Sequence, residues 1–271
     1  MTQRRKTPMP TPKPTRCPAR FLELAGRLAD AAGVVSRRYF RTDIKVIEKG
    51  DSSPVTMADR LAETRMRLMI ERAYPEHGIM GEEHGLDRID AEYVWVLDPI
   101  DGTKSFICGV PLFGTLIALV HRGVPILGII DQPVIGERWV GSVGRRTMYC
   151  GRKATTRPCP SLAEATLFAT SPYMFGKQAA AFESLRTSVK LARYGADCYA
   201  YGQLAAGNID LVVEGGIQPH DYLAQVTIIE GAGGVLTDWE GRALGLESGG
   251  YICASGDPKL HKHALQKLVG R

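Results

Sequence analysis

At 271 residues, 44% of them hydrophobic and 23% charged, the chain is long enough to bury a substantial core without disulfide or metal staples, and no apolar run reaches the length of a bilayer span. The net charge of +5 would suit nucleic acid, but six basic residues (Arg4, Arg5, Lys6, Lys13, Arg16 and Arg20) fall in the first twenty and leave −1 for the remainder. The composition is that of an ordinary globular protein, with neither nucleic acid nor membrane expected as a partner.

The opening stretch MTQRRKTPMPTPKPTR is rich in Pro and Thr and lacks an apolar segment, so residues 1–18 are expected to form a disordered basic tail. Apolar residues recur at helical spacing from Phe21 to Phe40, and a second helical pattern runs from Met57 to Tyr74 with Asp59 in its first turn. Short strand-like runs follow at 78–81, 93–97, 114–120, 126–130 and 138–143, punctuated by Gly, Pro and Asp. They predict a mixed or antiparallel sheet with helices beside it, an α+β half covering 19–150. After about residue 160 the rhythm is strand, helix, helix, strand, helix, strand, strand, helix, so 151–271 reads as an α/β half. Its last helix spans Lys259–Val269, where His261 and His263 point to different faces and are expected at the surface. The six cysteines (Cys17, Cys108, Cys150, Cys159, Cys198, Cys253) form no C-x-x-C pair and suit a reducing compartment, the cytoplasm, with Cys acting as a small apolar residue.

The stretch WVLDPIDGTKSF, residues 95–106, carries the chemistry. An apolar strand ends at Asp98; Pro99 disfavours helix there, and Asp98 and Asp101 can face one point together with the Ile100 carbonyl. Several converging hard oxygens suit Mg2+. Gly102 permits close backbone approach to a ligand, and Thr103 offers a hydroxyl and, at a helix start, free N–H groups for phosphate. Asp-Pro and Asp-Gly are also plain turn formers. Three other stretches add acidic groups at element ends: GEE with Glu82 and Glu83, SPVTMAD with Thr56 and Asp59, and EGGIQPHD with Glu214 and Asp221. Taken singly, Asp59 and Asp221 would be helix caps.

Taken in order, SPVTMAD, GEE, WVLDPIDGTKSF, EGGIQPHD and GAGGVLTDW resemble the inositol monophosphatase superfamily of Mg2+-dependent, lithium-sensitive phosphomonoesterases, over about residues 48–240. FGTLIAL and GADCYAYGQLAAGNIDLVVE are most similar to its histidinol-phosphate phosphatases. One departure is His220 where a Trp is common, followed by Leu223-Ala224 in place of Ala-Ala. The resemblance implies an αβαβα layered sandwich, a homodimer, and two to three Mg2+ ions. One ion would be held by Glu82, Asp98 and the Ile100 carbonyl, a second by Asp98, Asp101 and Asp221, and a weaker third by Glu82. It makes Glu82, Asp59 and Thr103 catalytic, Thr103 positioning the attacking water under the influence of Asp59, with no residue becoming phosphorylated. His220 is expected to line the pocket.

Two rival classes stand beside this reading. An aspartyl-phosphate enzyme needs Asp-x-Asp-Gly-Thr, but Pro99 occupies the nucleophile's position. A phosphate-binding module without turnover has no need of the whole acidic set. The substrate is expected to be a small phosphate monoester, with Gly102, Thr103 and Asp221 near its phosphate and Arg193, Asp197 and Glu214 near its alcohol. Carboxylates at Asp197 and Glu214 suit the ammonium and imidazole of L-histidinol phosphate, an intermediate of histidine biosynthesis, better than the neutral inositol 1-phosphate or a nucleotide 3′-phosphate. Asp197 as a helix cap and Glu214 as a surface strand end are the plain alternatives.

Overall fold

Phe21, Leu24, Ala25, Leu28, Ala29 and Ala32 follow the three-and-four spacing of one helix face, and all six are buried in the computed structural model, which describes residues 16–43, 46–48 and 54–270. They belong to α1 (Ala19–Tyr39). After it come β1 (Val46–Glu48), β2 (Pro54–Thr56), α2 (Met57–Ala73), β3 (Gly78–Gly81), β4 (Gly85–Asp87), β5 (Tyr93–Asp101), α3 (Thr103–Ile107), β6 (Gly114–His121), β7 (Val124–Gln132), β8 (Glu137–Ser142), β9 (Met148–Tyr149) and β10 (Arg152–Lys153). The second half holds β11 (Thr166–Ala169), α4 (Ala179–Arg186), β12 (Leu191–Tyr194), α5 (Cys198–Ala205), β13 (Leu211–Glu214), α6 (Pro219–Ala232), β14 (Val235–Asp238), β15 (Ile252–Ser255) and α7 (Pro258–Leu268).

Besides the two-stranded pair β1-β2, two larger sheets organise these elements. The first has the order β10-β9-β8-β7-β6-β5-β3-β4 and is antiparallel except between β3 and β5; the second, β12-β11-β13-β15-β14, is mixed. The first sheet is covered on both faces, which is why its strands read as unbroken apolar runs. Trp95, Leu97, Ile117 and Leu119 pack on α1 and α2, while Val94, Val96, Leu116 and Ala118 alternate with them and pack on α5 and α6. The far side of α6 meets the second sheet, whose other face carries α4 and α7. Five layers result, helix, sheet, helix, sheet, helix, the αβαβα sandwich expected above.

Helix α6 is the hinge of the arrangement. Every residue from Tyr222 to Ile229 is buried, so it has no polar face, as befits a helix enclosed between sheets. It lies against the first sheet at two glycines: a Cβ on Gly128 would collide with the Ala224 carbonyl, and one on Gly141 with the Ile228 amide. Backbone meets backbone there.

Several expectations are revised. The chain is already fixed at Cys17, which is 1% exposed and donates its amide to the Val143 carbonyl at 3.1 Å, so the expected tail does not extend to residue 18; residues 1–15 lie outside the described residues. Strand β12 was not foreseen between the two helices, because Leu191, Arg193 and Tyr194 are exposed on a sheet edge and carry no alternation. Cys17, Cys159, Cys198 and Cys253 are buried, but Cys108 and Cys150 are exposed. No helix among the described residues is long and apolar enough to cross a membrane.

His261, expected at the surface, is 6% exposed beneath α7, with Nε2 2.9 Å from the Thr237 hydroxyl; His263 is exposed. Burial lowers the His261 pKa from 6.5 to about 4. The unfolded chain therefore takes up this proton first. Its contribution is intact above pH 6.5 and is lost as pH falls toward 4, by about 3 kcal/mol. Denaturant midpoints between pH 7 and 4 should show this acid loss, and His261→Gln should flatten it; parallel curves for the two proteins would refute the assignment.

Candidate active site

Strand β5 runs through the Asp-Pro-Ile-Asp stretch, with a register shift against β6 between Asp98 and Asp101. Pro99 brings no N–H to the ladder, and its carbonyl accepts the Thr115 hydroxyl at 2.8 Å instead. The Ile100 amide turns back to Asp98 Oδ1 at 3.0 Å, which fixes the carboxylate against its own strand. Gly102 follows with φ 82°, and a Cβ on it would lie 2.7 Å from Asp197 Oδ2, so left-handed backbone and close approach both call for glycine. Thr103 opens α3 and donates its hydroxyl to the Ile100 carbonyl at 3.2 Å.

Glu82 sits one residue beyond β3, its amide bonded to the Leu97 carbonyl at 3.2 Å, which puts it beside the exit of β5. The turn is held from beneath by Glu63, wholly buried on α2, whose carboxylate accepts the Glu83 amide at 2.7 Å and the His84 amide at 3.1 Å and pairs with Arg67 at 2.7 Å. Gly81 is glycine because a Cβ would meet that carboxylate. Asp59 is wholly buried in the first turn of α2, and β2, just before it, lies against α3.

Asp221 reaches the same place from the second half. The helix cap is Gln218, not Asp221; Asp221 is the third residue of α6, where its carboxylate accepts the Gln218 amide at 2.6 Å in a reciprocal capping box. Asp98, Asp101 and Asp221 each offer a carboxylate oxygen, and the three lie within 4.8 Å of one another. Burial, then the charges of Glu82, Asp101 and Asp221, hold the Asp98 carboxyl well above the usual range; burial, Asp197 and Asp221 do the same for Asp101. Among the described residues, no Lys or Arg pairs with Asp98 or Asp101. Such a group needs a compensating cation or protons, and three hard oxygens at this spacing fit a divalent ion.

A cavity of about 180 Å³ adjoins this cluster, lined by Asp101, Asp221, Asp197, Glu214, Thr170 and Tyr201 among others. Asp197 does not cap α5 with its side chain. The Cys198 amide is capped by Asp101 Oδ2 at 2.7 Å, and Asp197 accepts the Ser105 hydroxyl at 2.7 Å. Gly195, Ala196 and Asp197 have φ of 86°, 79° and 45°, a run of left-handed backbone that turns the Asp197 carboxylate back toward Gly102. Glu214 is not a surface residue: it is 2% exposed, takes the Thr170 amide and hydroxyl at 3.0 Å each, and is pushed up to about 8 by burial.

Arg193 is not brought to the cavity; it is exposed on β12 with its guanidinium 5.6 Å from the Phe168 ring. His220 stands beside the cluster, Nε2 3.6 Å from Asp221 Oδ1. Sequence reasoning missed Glu63, Ser105, Thr170, Tyr201 and Gln225. Glu63 had a signal, a carboxylate among Ala62, Met66 and Ile70 on the buried face of α2; Ser105 is brought to Asp197, and Thr170, Tyr201 and Gln225 to the cavity, only by tertiary packing.

Residues 18–270 match the model of the inositol monophosphatase family. The chain is 49% identical over 259 residues to the bifunctional phosphatase IMPL2, chloroplastic, of Arabidopsis thaliana, spanning 92% of this chain and 75% of that protein. It is 34% identical to a histidinol-phosphatase of Chlorobaculum parvum, over 86% of this chain and 92% of that one. Among solved structures, an inositol monophosphatase from Zymomonas mobilis superposes with a TM-score of 0.86 at 46% identity, covering 93% of this chain and 98% of that one.

Proposed function

Because the chain belongs to the inositol monophosphatase family, a family of phosphatases, we propose that it is a Mg2+-dependent phosphomonoesterase acting on a small phosphorylated alcohol, foremost L-histidinol phosphate. Asp98, Asp101 and Asp221, with Glu82 and the Ile100 carbonyl, would hold two to three ions. When bound, the ions neutralise the phosphoryl oxygens and make water a better nucleophile. Thr103 orients that water from the start of α3, with Asp59 behind it, and the α3 amides face the phosphate. Water oxygen bonds to phosphorus as the bond from phosphorus to the alcohol oxygen breaks, and no side chain is phosphorylated in between. The clustering of three carboxylates within 4.8 Å supports the metal chemistry.

The observation that carries the substrate class is the wall of the cavity: Asp197 and Glu214 line it, and among the described residues no Lys, Arg or His does. A cationic alcohol supplies the missing counter-charge, a neutral inositol does not, and a nucleotide 3′-phosphate adds charge of the wrong sign. As assembly and location we propose a homodimer in a reducing compartment, the cytoplasm, in keeping with six free thiols. Sedimentation tests the dimer.

Phosphate release from histidinol phosphate, inositol 1-phosphate and adenosine 3′,5′-bisphosphate tests the reading directly. Excess chelator should abolish turnover, Mg2+ restore it and lithium inhibit it, with histidinol phosphate giving the highest kcat/KM. Full activity in chelator would sink the mechanism, and a preference for inositol 1-phosphate the substrate. Asp197→Asn keeps an acceptor for Ser105 and removes the charge, so it should lower the histidinol phosphate to inositol phosphate ratio of kcat/KM by roughly ten- to a hundredfold. An unchanged ratio would return Asp197 to a purely structural part.

A further inference from the structure

Two residues that line the cavity each bury an oxygen that the proposed function leaves unused. The Tyr201 hydroxyl on α5 and Gln225 Oε1 on α6 are buried and have no hydrogen-bond partner among the described residues; Tyr201 is 3% exposed and Gln225 0%. Both residues line the cavity, together with Glu214 and Asp197. The Gln225 amide orientation is fixed, because its NH2 group donates to the Asp221 carbonyl at 2.5 Å, one turn back, and only that end of the amide can donate. The carbonyl end is therefore the free one. A buried polar group without a partner destabilises a fold unless something in the working state satisfies it. Two such groups in one small cavity are a built site.

We infer that Tyr201 and Gln225 are specificity residues for the alcohol half of the substrate, Gln225 Oε1 accepting from an N–H and the Tyr201 hydroxyl donating to a bare nitrogen, the pair of functions a neutral imidazole presents. Asp197 and Glu214 then remain for an ammonium group. The inference deepens the substrate reading above and rests on it for the choice of nitrogen over oxygen. Gln225 lies on the helix face that carries Asp221 (i, i+4), so the ring would stand a fixed distance from the phosphate. Alcohols too short to reach it would leave both oxygens unsatisfied and be rejected on that account.

The test uses L-histidinol itself as the probe, an inhibitor of p-nitrophenyl phosphate hydrolysis by the Mg2+-loaded full chain, against wild type, Tyr201→Phe and Gln225→Leu. Each variant should weaken histidinol inhibition about tenfold, the worth of one hydrogen bond to a buried polar group. Tyr201→Phe should leave the melting temperature unchanged or higher, since it removes a hydroxyl that nothing in the fold satisfies. Equal inhibition constants in all three proteins, no inhibition of wild type, or a lowered melting temperature for Tyr201→Phe would overturn the inference. The ranking of histidinol phosphate against inositol 1-phosphate by wild type is measured separately, so the substrate reading can fail without deciding the inhibition result.

Discussion

Asp98→Asn is expected to lower kcat by a thousandfold or more and, in the metal-free protein, to raise the melting temperature. The two effects share one cause. On the proposed mechanism Asp98 serves two ions, and forfeiting that shared ligand removes several kcal/mol of transition-state stabilisation, about a thousandfold for each 4 kcal/mol. Without ions the same carboxylate is a liability, since burial and the charges of Glu82, Asp101 and Asp221 raise its pKa. A carboxyl whose pKa is higher folded than unfolded favours the fold only below its unfolded pKa, and that contribution is lost as pH rises through the folded value. At neutral pH, Asn is therefore the less costly residue. Thr103→Ala should cost less, because it removes only the orientation of water. Turnover at saturating Mg2+ and melting curves in chelator check both parts; a larger loss for Thr103→Ala than for Asp98→Asn would show the roles misassigned.

Gly128→Ala should be the most destructive small substitution in the core, costing upwards of about 3 kcal/mol or preventing folding. One methyl group there meets the Ala224 carbonyl, which is backbone and cannot rotate away, so α6 must lift from the first sheet and carry Asp221 with it. Gly26→Ala is the control. It lies in α1 with nothing within 4 Å of its added Cβ, so helix propensity alone should make it stabilising by up to about 1 kcal/mol. Urea denaturation of the two variants should give shifts of opposite sign, and a near-neutral Gly128→Ala would mean the contact between α6 and the sheet is looser than described.

How far the sequence spoke depends on the kind of signal. Strands β3, β5, β6, β7 and β8 and the helices at both ends announced themselves because burial on one or both faces leaves an apolar pattern that survives in one dimension. The acidic set was legible for a similar reason: Glu82, Asp101 and Asp221 stand at or near an element end and Asp98 at the irregularity of β5, each beside a Gly or Pro within three residues. Edge strand β12 was silent because nothing covers it. The cap of α5 was silent, since the group that meets the Cys198 amide is Asp101, nearly a hundred residues earlier, and no local spacing reports a partner so distant. Tyr201 and Gln225 read as ordinary helix interior, and only the cavity distinguishes them.

The backbone seat of α6 on the first sheet also bears on synthesis. Strands β5 to β8 leave the ribosome complete at Ser142, yet the helix that covers one of their faces ends at Ala232, about 90 residues later. At roughly 5–20 residues per second the nascent chain presents Val94, Val96, Leu116, Ala118 and Ile130 to solvent for on the order of five to twenty seconds. A chain stalled or truncated in that window holds a wide apolar sheet with one bare side, a form that chaperones bind and that aggregates when they do not. Release from the ribosome beyond α6 is thus the event that makes the first half soluble, and it is the same event that delivers Asp221 to its partners.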